Sequence, residues 1–383
     1  VERLAERGRP RRIVLAQVLP GVARALRSAF GEGAMVEVDV PLTEETCERL
    51  LAEHTEGQGF DDVVLLDPSP EAVTAAMKVM GRGATLAFVL TDPRPLVVPV
   101  DVGRVHYENW ALVGTTSEDV SRAYEDGIRT ELGSGGRALF IGAGGPMGRM
   151  HVQRALQAAD GPALVVASDT SDERLQSLVD TFGPDAERRG VTLVAANPAA
   201  MSPEEYDRLL NQQAPQGFDD VVLLAPVPRL ISHAAEHLAS GGVLNILAGL
   251  ARGSMAEVDI AAFATRGIRF TGSSGSYIAD LKQVLAKAES GSLAPEHSLA
   301  AVGGIHAAWE GMEAVINARF PGKIVIYPQI EDLPLTALPD LVELLPEVAA
   351  RLDSQGRWNK AAEEALLEAR LTLPPGKIGR AHV

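Results

Sequence analysis

The stretch of sequence that decides the fold is Ile141-Gly142-Ala143-Gly144-Gly145-Pro146-Met147-Gly148. It follows an apolar run, residues 137–141, that predicts a buried strand, and it precedes a predicted helix over residues 147–158. A glycine turn between a strand and a helix is typical of a pyrophosphate site, because glycines let the backbone approach phosphates and the helix N-terminus offers free N–H groups. Ala143 stands at the first place of the strict glycine pattern, so Gly142 is expected to supply that backbone freedom. A plain tight turn is the alternative interpretation.

An acidic residue follows the next predicted strand at the spacing that ribose binding requires. Asp169 comes directly after the apolar run 164–168 and 21 residues after Gly148. A carboxylate there accepts hydrogen bonds from ribose hydroxyls and repels a 2′-phosphate. The sequence therefore favours NAD over NADP, although Arg174 would weaken that preference.

The chain contains an internal repeat. Residues 59–66, GFDDVVLL, recur unchanged as residues 217–224, 158 residues later. A shift of 152 residues aligns the start of the chain with the region after the glycine turn, so Val1 is expected to lie inside the first helix of a repeat that lacks its own glycine turn. The same shift sets Gln17 opposite Asp169. The first repeat is therefore interpreted as structural and not as a second nucleotide site.

The alternation of predicted elements assigns an α/β fold: two tandem Rossmann-like units of doubly wound parallel sheet with a short helical appendage at the C-terminus. The expected domains are an incomplete Rossmann-like unit over 1–132, a complete nucleotide-binding unit over 133–329, C-terminal helices over 330–376 and a non-native tail over 377–383. The predicted strands of the second unit cover residues 137–141, 163–167, 191–195, 220–224, 243–247 and 268–272, the predicted helices cover 147–158, 172–182 and 203–211, and the C-terminal pair covers 338–345 and 360–367.

Composition narrows the function classes. The net charge of −16 disfavours a nucleic-acid partner, because polyanions are repelled. The single cysteine, Cys47, excludes an internal disulfide and any Cys-x-x-Cys zinc site. No signal peptide and no membrane-spanning apolar run is recognised, so a cytoplasmic location without membrane association is expected. The sequence is compatible with a homo-oligomer.

Several polar residues are site candidates by their type and spacing. His233 and His237 are four residues apart on a predicted helix and share a face that could bind zinc, but no third ligand is near in sequence. They are interpreted as a solvated or capping pair, and no metal site is assigned. His151 is expected on the surface of a helix, and His306 is expected to have a packing role. The acidic pairs 61–62 and 219–220 recur in both repeats, which favours a structural role.

Residues 137–328 resemble the medium-chain dehydrogenase/reductase superfamily, the zinc-type alcohol and polyol dehydrogenases. The glycine turn, the following residues 150–156 and the run Gly217-Phe218-Asp219-Asp220 are similar to the branch of L-sorbose-1-phosphate reductases. The other stretches that carry the resemblance are residues 241–249, 271–275 and 322–328.

The resemblance implies hydride transfer between NAD and a secondary alcohol or polyol, including phosphorylated ones. It implies a GroES-like domain before the Rossmann unit that holds a catalytic zinc, and zinc is expected only if such an upstream domain exists. By family position, Ala225 and Pro226 would lie near the adenosine, and four residues near the nicotinamide: Ala248, Gly249, Ser273 and Ser274. No catalytic residue is assigned within the chain.

Two functions are compatible with these observations. The first is an NAD-dependent alcohol or polyol dehydrogenase whose zinc domain is not present in this chain. The second is a non-catalytic nucleotide-binding or scaffold protein of paired Rossmann units. Cysteine, histidine and glutamate ligands in an upstream sequence would favour the enzyme.

Overall fold

The computed structural model describes residues 10–16, 20–31, 33, 35–38, 41–125, 127, 129 and 131–371. The predictions for the helix at Val1, for Gln17 and for the tail 377–383 lie outside these residues.

Sixteen strands and fourteen α-helices occur in the described part of the chain. The strands are β1 (Ile13–Ala16), β2 (Met35–Val38), β3 (Phe60–Leu66), β4 (Met80–Val89), β5 (Val97–Asp101), β6 (Ala111–Thr115), β7 (Arg137–Ile141), β8 (Leu164–Ser168), β9 (Thr192–Ala196), β10 (Phe218–Leu223), β11 (Leu238–Ile246), β12 (Met255–Asp259), β13 (Arg269–Gly272), β14 (Leu299–Gly304), β15 (Lys323–Tyr327) and β16 (Thr336–Ala337). The helices are Pro20–Phe30, Glu44–Thr55, Pro70–Val79, Val102–Tyr107, Pro146–Gln157, Asp172–Arg189, Pro203–Gln213, Arg229–Glu236, Ala261–Thr265, Ile278–Glu289, Ala308–Ile316, Leu341–Leu344, Pro346–Ala349 and Lys360–Arg370.

The chain folds into two compact units. Unit 1 contains the residues up to Ile141, residues 162–164 and residues 203–275; unit 2 contains residues 142–161, 165–202 and those from Ser276 on. In unit 1, neighbouring strands follow the order β3-β4-β6-β13-β11-β10-β7. Every pairing in this order is parallel except that of β6 with β13. The Rossmann-like α/β class predicted from the sequence is confirmed.

The sequence repeat is also a repeat of structure within unit 1. Strands β10, β11 and β13 each begin 158 residues after β3, β4 and β6. The antiparallel contacts join equivalent positions: Leu112 pairs with Phe270, and Pro99 pairs with Glu257. Equivalent residues that pair with each other define a two-fold relation, the geometry of a symmetric dimer interface. Unit 1 therefore contains an internal pseudo-dimer.

A row of aromatic rings joins the two repeats in the core of unit 1. The ring of Phe263 lies 5.3 Å from that of Phe88 and 4.8 Å from that of Phe270, measured between centroids. All three side chains are fully buried. Burial of such large apolar surfaces is a main source of stability, so the repeats are expected to support each other.

One helix of unit 2 is longer than predicted. The helix Asp172–Arg189 runs through Gly183-Pro184, where the sequence predicted its end near Phe182. Phe182 and Ala186 are four residues apart and both are buried, so the apolar face continues past the proline. Gly190, at a φ of 68°, ends the helix.

The C-terminal part of unit 2 differs from its prediction in one place. The predicted helix over residues 338–345 is a 3₁₀ turn, Leu338–Asp340, followed by two short helices. Prolines at 339 and 346 lack the N–H that a continuous helix needs. The predicted helix 360–367 is confirmed and extends to Arg370, with Asn359 accepting a hydrogen bond from the N–H of Ala362 at 2.9 Å.

Among the described residues, no helix combines the length and the apolar character needed to cross a membrane.

Candidate functional site

The glycine turn is held against the end of β8 within unit 2. The N–H groups of Gly142 and Ala143 both donate to the carbonyl of Ser168, at 2.8 and 2.9 Å. Gly142 has a φ of 88°, a conformation that glycine adopts at little cost. A Cβ on Gly148 would lie only 2.2 Å from the carbonyl oxygen of Gly142. The turn and the first turn of the helix Pro146–Gln157 are therefore in direct contact.

The N-terminus of this helix is free of side-chain caps. Gly145 is the N-cap and Pro146 begins the helix, with no side-chain cap hydrogen bond. A Cβ on Gly145 would meet nothing closer than the carbonyl oxygen of Gly142, at 3.8 Å. The amine of Lys323 lies 3.6 Å from the sulfur of Met147, in the first turn. Uncapped N–H groups and a nearby cation are what an anion such as pyrophosphate requires.

Asp169 contacts the glycine turn itself. One carboxylate oxygen accepts from the N–H of Gly144 at 3.0 Å, and the other accepts from the N–H of Ser171 at 3.1 Å. A Cβ on Gly144 would lie 2.7 Å from the Cβ of Arg174. The structure thus brings together three predicted features: the glycine turn, the acid and the arginine beside it. The donor set fits a dinucleotide, with backbone N–H groups for phosphates and a half-buried carboxylate for ribose.

The remaining predicted cofactor residues follow strand ends in unit 1. The N–H of Ala225, after β10, donates to the carbonyl of Ile141 at 3.2 Å, and the N–H of Ala248, after β11, donates to the carbonyl of Leu223 at 2.9 Å. Pro226 directly follows Ala225. These residues therefore lie at the carboxyl ends of neighbouring parallel strands, where ligands bind in doubly wound folds.

Two residues of the first repeat lie beside the predicted nicotinamide residues. The side-chain oxygen of Asn109 accepts from the N–H of Ser274 at 3.1 Å. The hydroxyl of Tyr107 lies 3.6 Å from the position of a Cβ on Gly249. Ser273, the neighbour of Ser274, is exposed. Sequence analysis missed Tyr107 and Asn109, because they precede the residues they contact by more than 140 positions and no motif marks them.

Two further histidines, His151 and His306, differ from their predictions. His151 is partly buried and not a surface residue as expected, and burial lowers its pKa to about 4. His306 is exposed, 3.9 Å from Asp332, so the packing expectation is wrong.

The acidic pair 219–220 fixes the chain before β7. Arg129 pairs with Asp220 at 2.8 Å and Arg137 with Asp219 at 3.2 Å. Burial acts to raise the pKa of Asp219, but the hydrogen bonds from Arg137 and the charges of Arg137 and Arg129 together hold it below its usual value. These contacts agree with the structural role inferred from the repeat.

Asp207 contacts both His233 and His237 and is a potential third ligand, which the sequence did not reveal. Its carboxylate oxygen lies 2.6 Å from Nε2 of His233 and 3.1 Å from Nε2 of His237. Burial is the main cause that lowers the pKa of His237, and the hydrogen bond with His233 is the main cause that lowers the pKa of Asp207. The sequence could not reveal this cluster, because Asp207 lies on another helix, 26 residues before His233.

Comparison with known proteins found no matching family model. The chain is 31% identical over 245 residues to the uncharacterized protein YggP of Escherichia coli (strain K12), covering 61% of this chain and 56% of that protein. It is 30% identical to mannitol-1-phosphate 5-dehydrogenase of Aliivibrio fischeri (strain ATCC 700601 / ES114), covering 64% and 58%. It is 28% identical to L-sorbose 1-phosphate reductase of Klebsiella pneumoniae, covering 63% and 56%. The chain thus spans little more than half the length of these relatives.

Among solved structures, alcohol dehydrogenase TADH from Thermus sp. ATN1 matches with a TM-score of 0.41 and 23% identity, over 51% of this chain and 54% of that one. The resemblance to the L-sorbose-1-phosphate reductases, expected from the sequence, is confirmed by the similarity to the L-sorbose 1-phosphate reductase of Klebsiella pneumoniae.

Proposed function

We propose that this chain is the nucleotide-binding part of an NAD-dependent oxidoreductase that acts on a secondary alcohol of a polyol or sugar phosphate. The observation that carries the proposal is the contact between Asp169 and the N–H of Gly144, at 3.0 Å, next to an uncapped helix N-terminus. The names of two relatives, a mannitol-1-phosphate 5-dehydrogenase and an L-sorbose 1-phosphate reductase, support the substrate class.

The residues of unit 2 would hold the dinucleotide by its phosphates and one ribose. The N–H groups of Met147 and Gly148 have no partner within an α-helix and would bind the pyrophosphate, with Lys323 adding positive charge. Asp169 would exchange its bond with Gly144 for the ribose hydroxyls, and its charge would repel a 2′-phosphate. NAD is therefore preferred to NADP.

The remaining predicted cofactor residues are assigned by their family position alone. Ala225 and Pro226 would adjoin the adenosine, and Ala248, Gly249, Ser273 and Ser274 the nicotinamide. Asn109 fixes the backbone of Ser274, so the first repeat would act as a positioning element. When bound, the nicotinamide supplies the carbon that accepts or donates the hydride. A zinc ion that polarises the substrate oxygen would come from an upstream domain if one exists.

We also propose the domain division of the sequence: an incomplete Rossmann-like unit over 1–132, a complete one over 133–329 and a C-terminal appendage over 330–376. The shared spacing of 158 residues between β3, β4, β6 and β10, β11, β13 supports it. The first repeat would then have a structural role and no nucleotide site, because Gln17 stands where the second repeat has Asp169.

The test is NAD and NADP titration of the full chain by calorimetry, with the variants Asp169→Ala and Asp160→Ala. Asp160 is an exposed acid before β8 and serves as the matched control. We expect NAD binding to weaken about 10-fold or more in Asp169→Ala, as expected for the loss of a charge-assisted hydrogen bond of about 1.5–3 kcal/mol, and to stay unchanged in Asp160→Ala. Equal NAD affinity in both variants would overturn the assignment.

A further inference from the structure

Three potential metal ligands converge in unit 1, away from the predicted cofactor residues of that unit. Asp207 lies on the helix Pro203–Gln213, His233 on the helix Arg229–Glu236, and His237 caps that helix. Their three ligand atoms all lie within 4.8 Å of one another. The two Nε2 atoms are 3.2 Å apart.

These distances are close to those of a bound ion. Ligands about 2.0–2.1 Å from a tetrahedral zinc ion lie about 3.3 Å from one another. The separations of 3.2 Å between the two nitrogens and 3.1 Å between His237 and Asp207 meet this value. Only the separation of 2.6 Å between His233 and Asp207 must widen, and Asp207, with 45% of its side chain exposed, has room to move.

The first repeat shows that the fold does not need these polar side chains. At the positions 158 residues earlier stand Arg49, Ala75 and Val79. Ala75 and Val79 are buried in an apolar cluster with Cys47. Burying a polar ring costs free energy that an apolar residue at the same place avoids. The second repeat therefore carries two histidines where the first repeat is built from apolar packing, and an aspartate where the first repeat has the exposed Arg49.

The surroundings of the cluster suit a metal-binding site. The ring of Tyr206 stacks on that of His233, with centroids 5.8 Å apart and an angle of 20° between the planes, which holds the imidazole in one orientation. His237 is 9% exposed and His233 is 30% exposed. The buried ring of His237 thus lies on the protein side of the cluster, and the more exposed His233 and Asp207 lie on the solvent side, where water can complete the coordination.

We propose that Asp207, His233 and His237 bind one zinc ion, with water as the remaining ligand. Two imidazoles and a carboxylate are ligands that zinc prefers. The ion would join the helix Pro203–Gln213 to the C-terminal end of the helix Arg229–Glu236.

The site is structural by its position in the sheet. The carbonyl of His237 accepts from the N–H of Phe218, the first residue of β10, at 2.8 Å. Ala225, the predicted cofactor residue, follows the opposite end of that strand, and six residues of strand span roughly 17 Å. The proposal is therefore independent of the proposed function.

The experiment is a zinc titration of the full chain, stripped with chelator, by calorimetry and by thermal melting. We expect one ion per chain with a dissociation constant in the micromolar range or below, and a melting temperature raised by several degrees. In the double variant His233→Ala/His237→Val, which restores the residues of the first repeat, we expect binding at least 100-fold weaker. The control His306→Gln removes an exposed histidine that lies 3.9 Å from Asp332 and should bind zinc as the parent does.

A second variant keeps the proposal testable if the double variant fails to fold. Asp207→Asn retains the shape of the side chain but loses its charge, and we expect zinc binding at least 10-fold weaker. Cobalt added in place of zinc should give the visible absorption of a four- or five-coordinate ion in the parent and not in Asp207→Asn. Absence of stoichiometric zinc binding in the parent, or equal affinity in the parent and Asp207→Asn, would overturn the proposal.

Discussion

Leu112 and Phe270 occupy the same position in the two repeats, and they pair with each other across the antiparallel strands β6 and β13. Both side chains are fully buried. Each repeat therefore closes the sheet edge of the other, which removes an exposed edge that could pair with another chain. This relation makes the core of unit 1 a shared structure of both repeats.

We expect Phe270→Ala to destabilise both repeats together. Truncating a buried phenylalanine costs about 3–5 kcal/mol, and the loss should pass through Phe263 to Phe88, whose rings lie in contact in one row. Chemical unfolding measures the cost, and native-state hydrogen exchange locates it. Exchange should accelerate in β4 as well as in β13.

The control for this prediction is Phe320→Ala in unit 2. Phe320 is only partly buried and packs against the same buried cluster as Ile324 and Ile326 of β15, so its exchange effects should stay in β15 and its neighbours. Acceleration in β13 without any in β4 would show that the two repeats are energetically independent.

An added methyl group should lower the stability of the protein at Gly148 and leave it nearly unchanged at Gly145. In Gly148→Ala the Cβ would lie 2.2 Å from the carbonyl oxygen of Gly142, so the turn must shift, and we expect a loss of about 1–3 kcal/mol in stability. In Gly145→Ala the nearest atom is 3.8 Å away, so stability should change by less than about 0.5 kcal/mol. The methyl group would instead occupy the space next to the helix N-terminus.

NAD titration separates these two effects. Gly145→Ala should weaken NAD binding while its melting temperature stays at the parent value. Unchanged affinity in this variant would mean that the phosphates do not approach the backbone at Gly145.

Local sequence patterns predicted the parts of the site that are close in the chain. Strand, glycine turn and helix occupy consecutive residues, and Asp169 follows the next strand, so spacing alone located them. Asn109 and Asp207 could not be found this way, because their partners lie on other elements and the contact depends on how those elements pack. The helix beyond Phe182 was missed for a related reason: buried Ala186 outweighs the local effect of Pro184.

We expect the stability of the protein to fall as the pH drops from 6.5 towards 4 because of His151. Burial lowers its pKa from 6.5 to about 4, and the charge of Arg154, three residues further along the same helix, adds to this. The unfolded chain thus binds a proton in this pH range that the folded chain does not, so protonation favours unfolding. The contribution is complete above pH 6.5 and is lost progressively down to pH 4, by about 1–3 kcal/mol.

The variant His151→Gln isolates this effect. Its unfolding free energy, compared with that of the parent between pH 7 and pH 4, should decline less steeply. His306→Gln, which changes an exposed histidine, should follow the parent. Parallel pH profiles for parent and His151→Gln would mean that His151 protonates equally in the folded and unfolded chain.

The C-terminal segment of unit 2 is anchored by the ion pair of Arg357 with Asp185. Nη1 of Arg357 lies 2.9 Å from Oδ2 of Asp185, and the side chains of Arg357 and Asp185 are only 11% and 8% exposed. Removing one partner of such a pair leaves a buried charge, so we expect Arg357→Met to cost about 3–5 kcal/mol. The cost lies at the lower end because Arg188 also contacts Asp185.

A double-mutant cycle measures the pair itself. Asp185→Asn combined with Arg357→Met removes both charges, so the double variant should be more stable than the sum of the single losses by about 0.5–3 kcal/mol. Trp358, next to Arg357 and 3% exposed, should report the release of the segment as a red shift in fluorescence. The exposed pair of Arg94 with Asp92 provides the control, and Arg94→Met should change stability by less than about 0.5 kcal/mol. If the two single losses simply add, Arg357 stabilises the segment through packing and through Asp353, which it contacts at 2.7 Å, and not through Asp185.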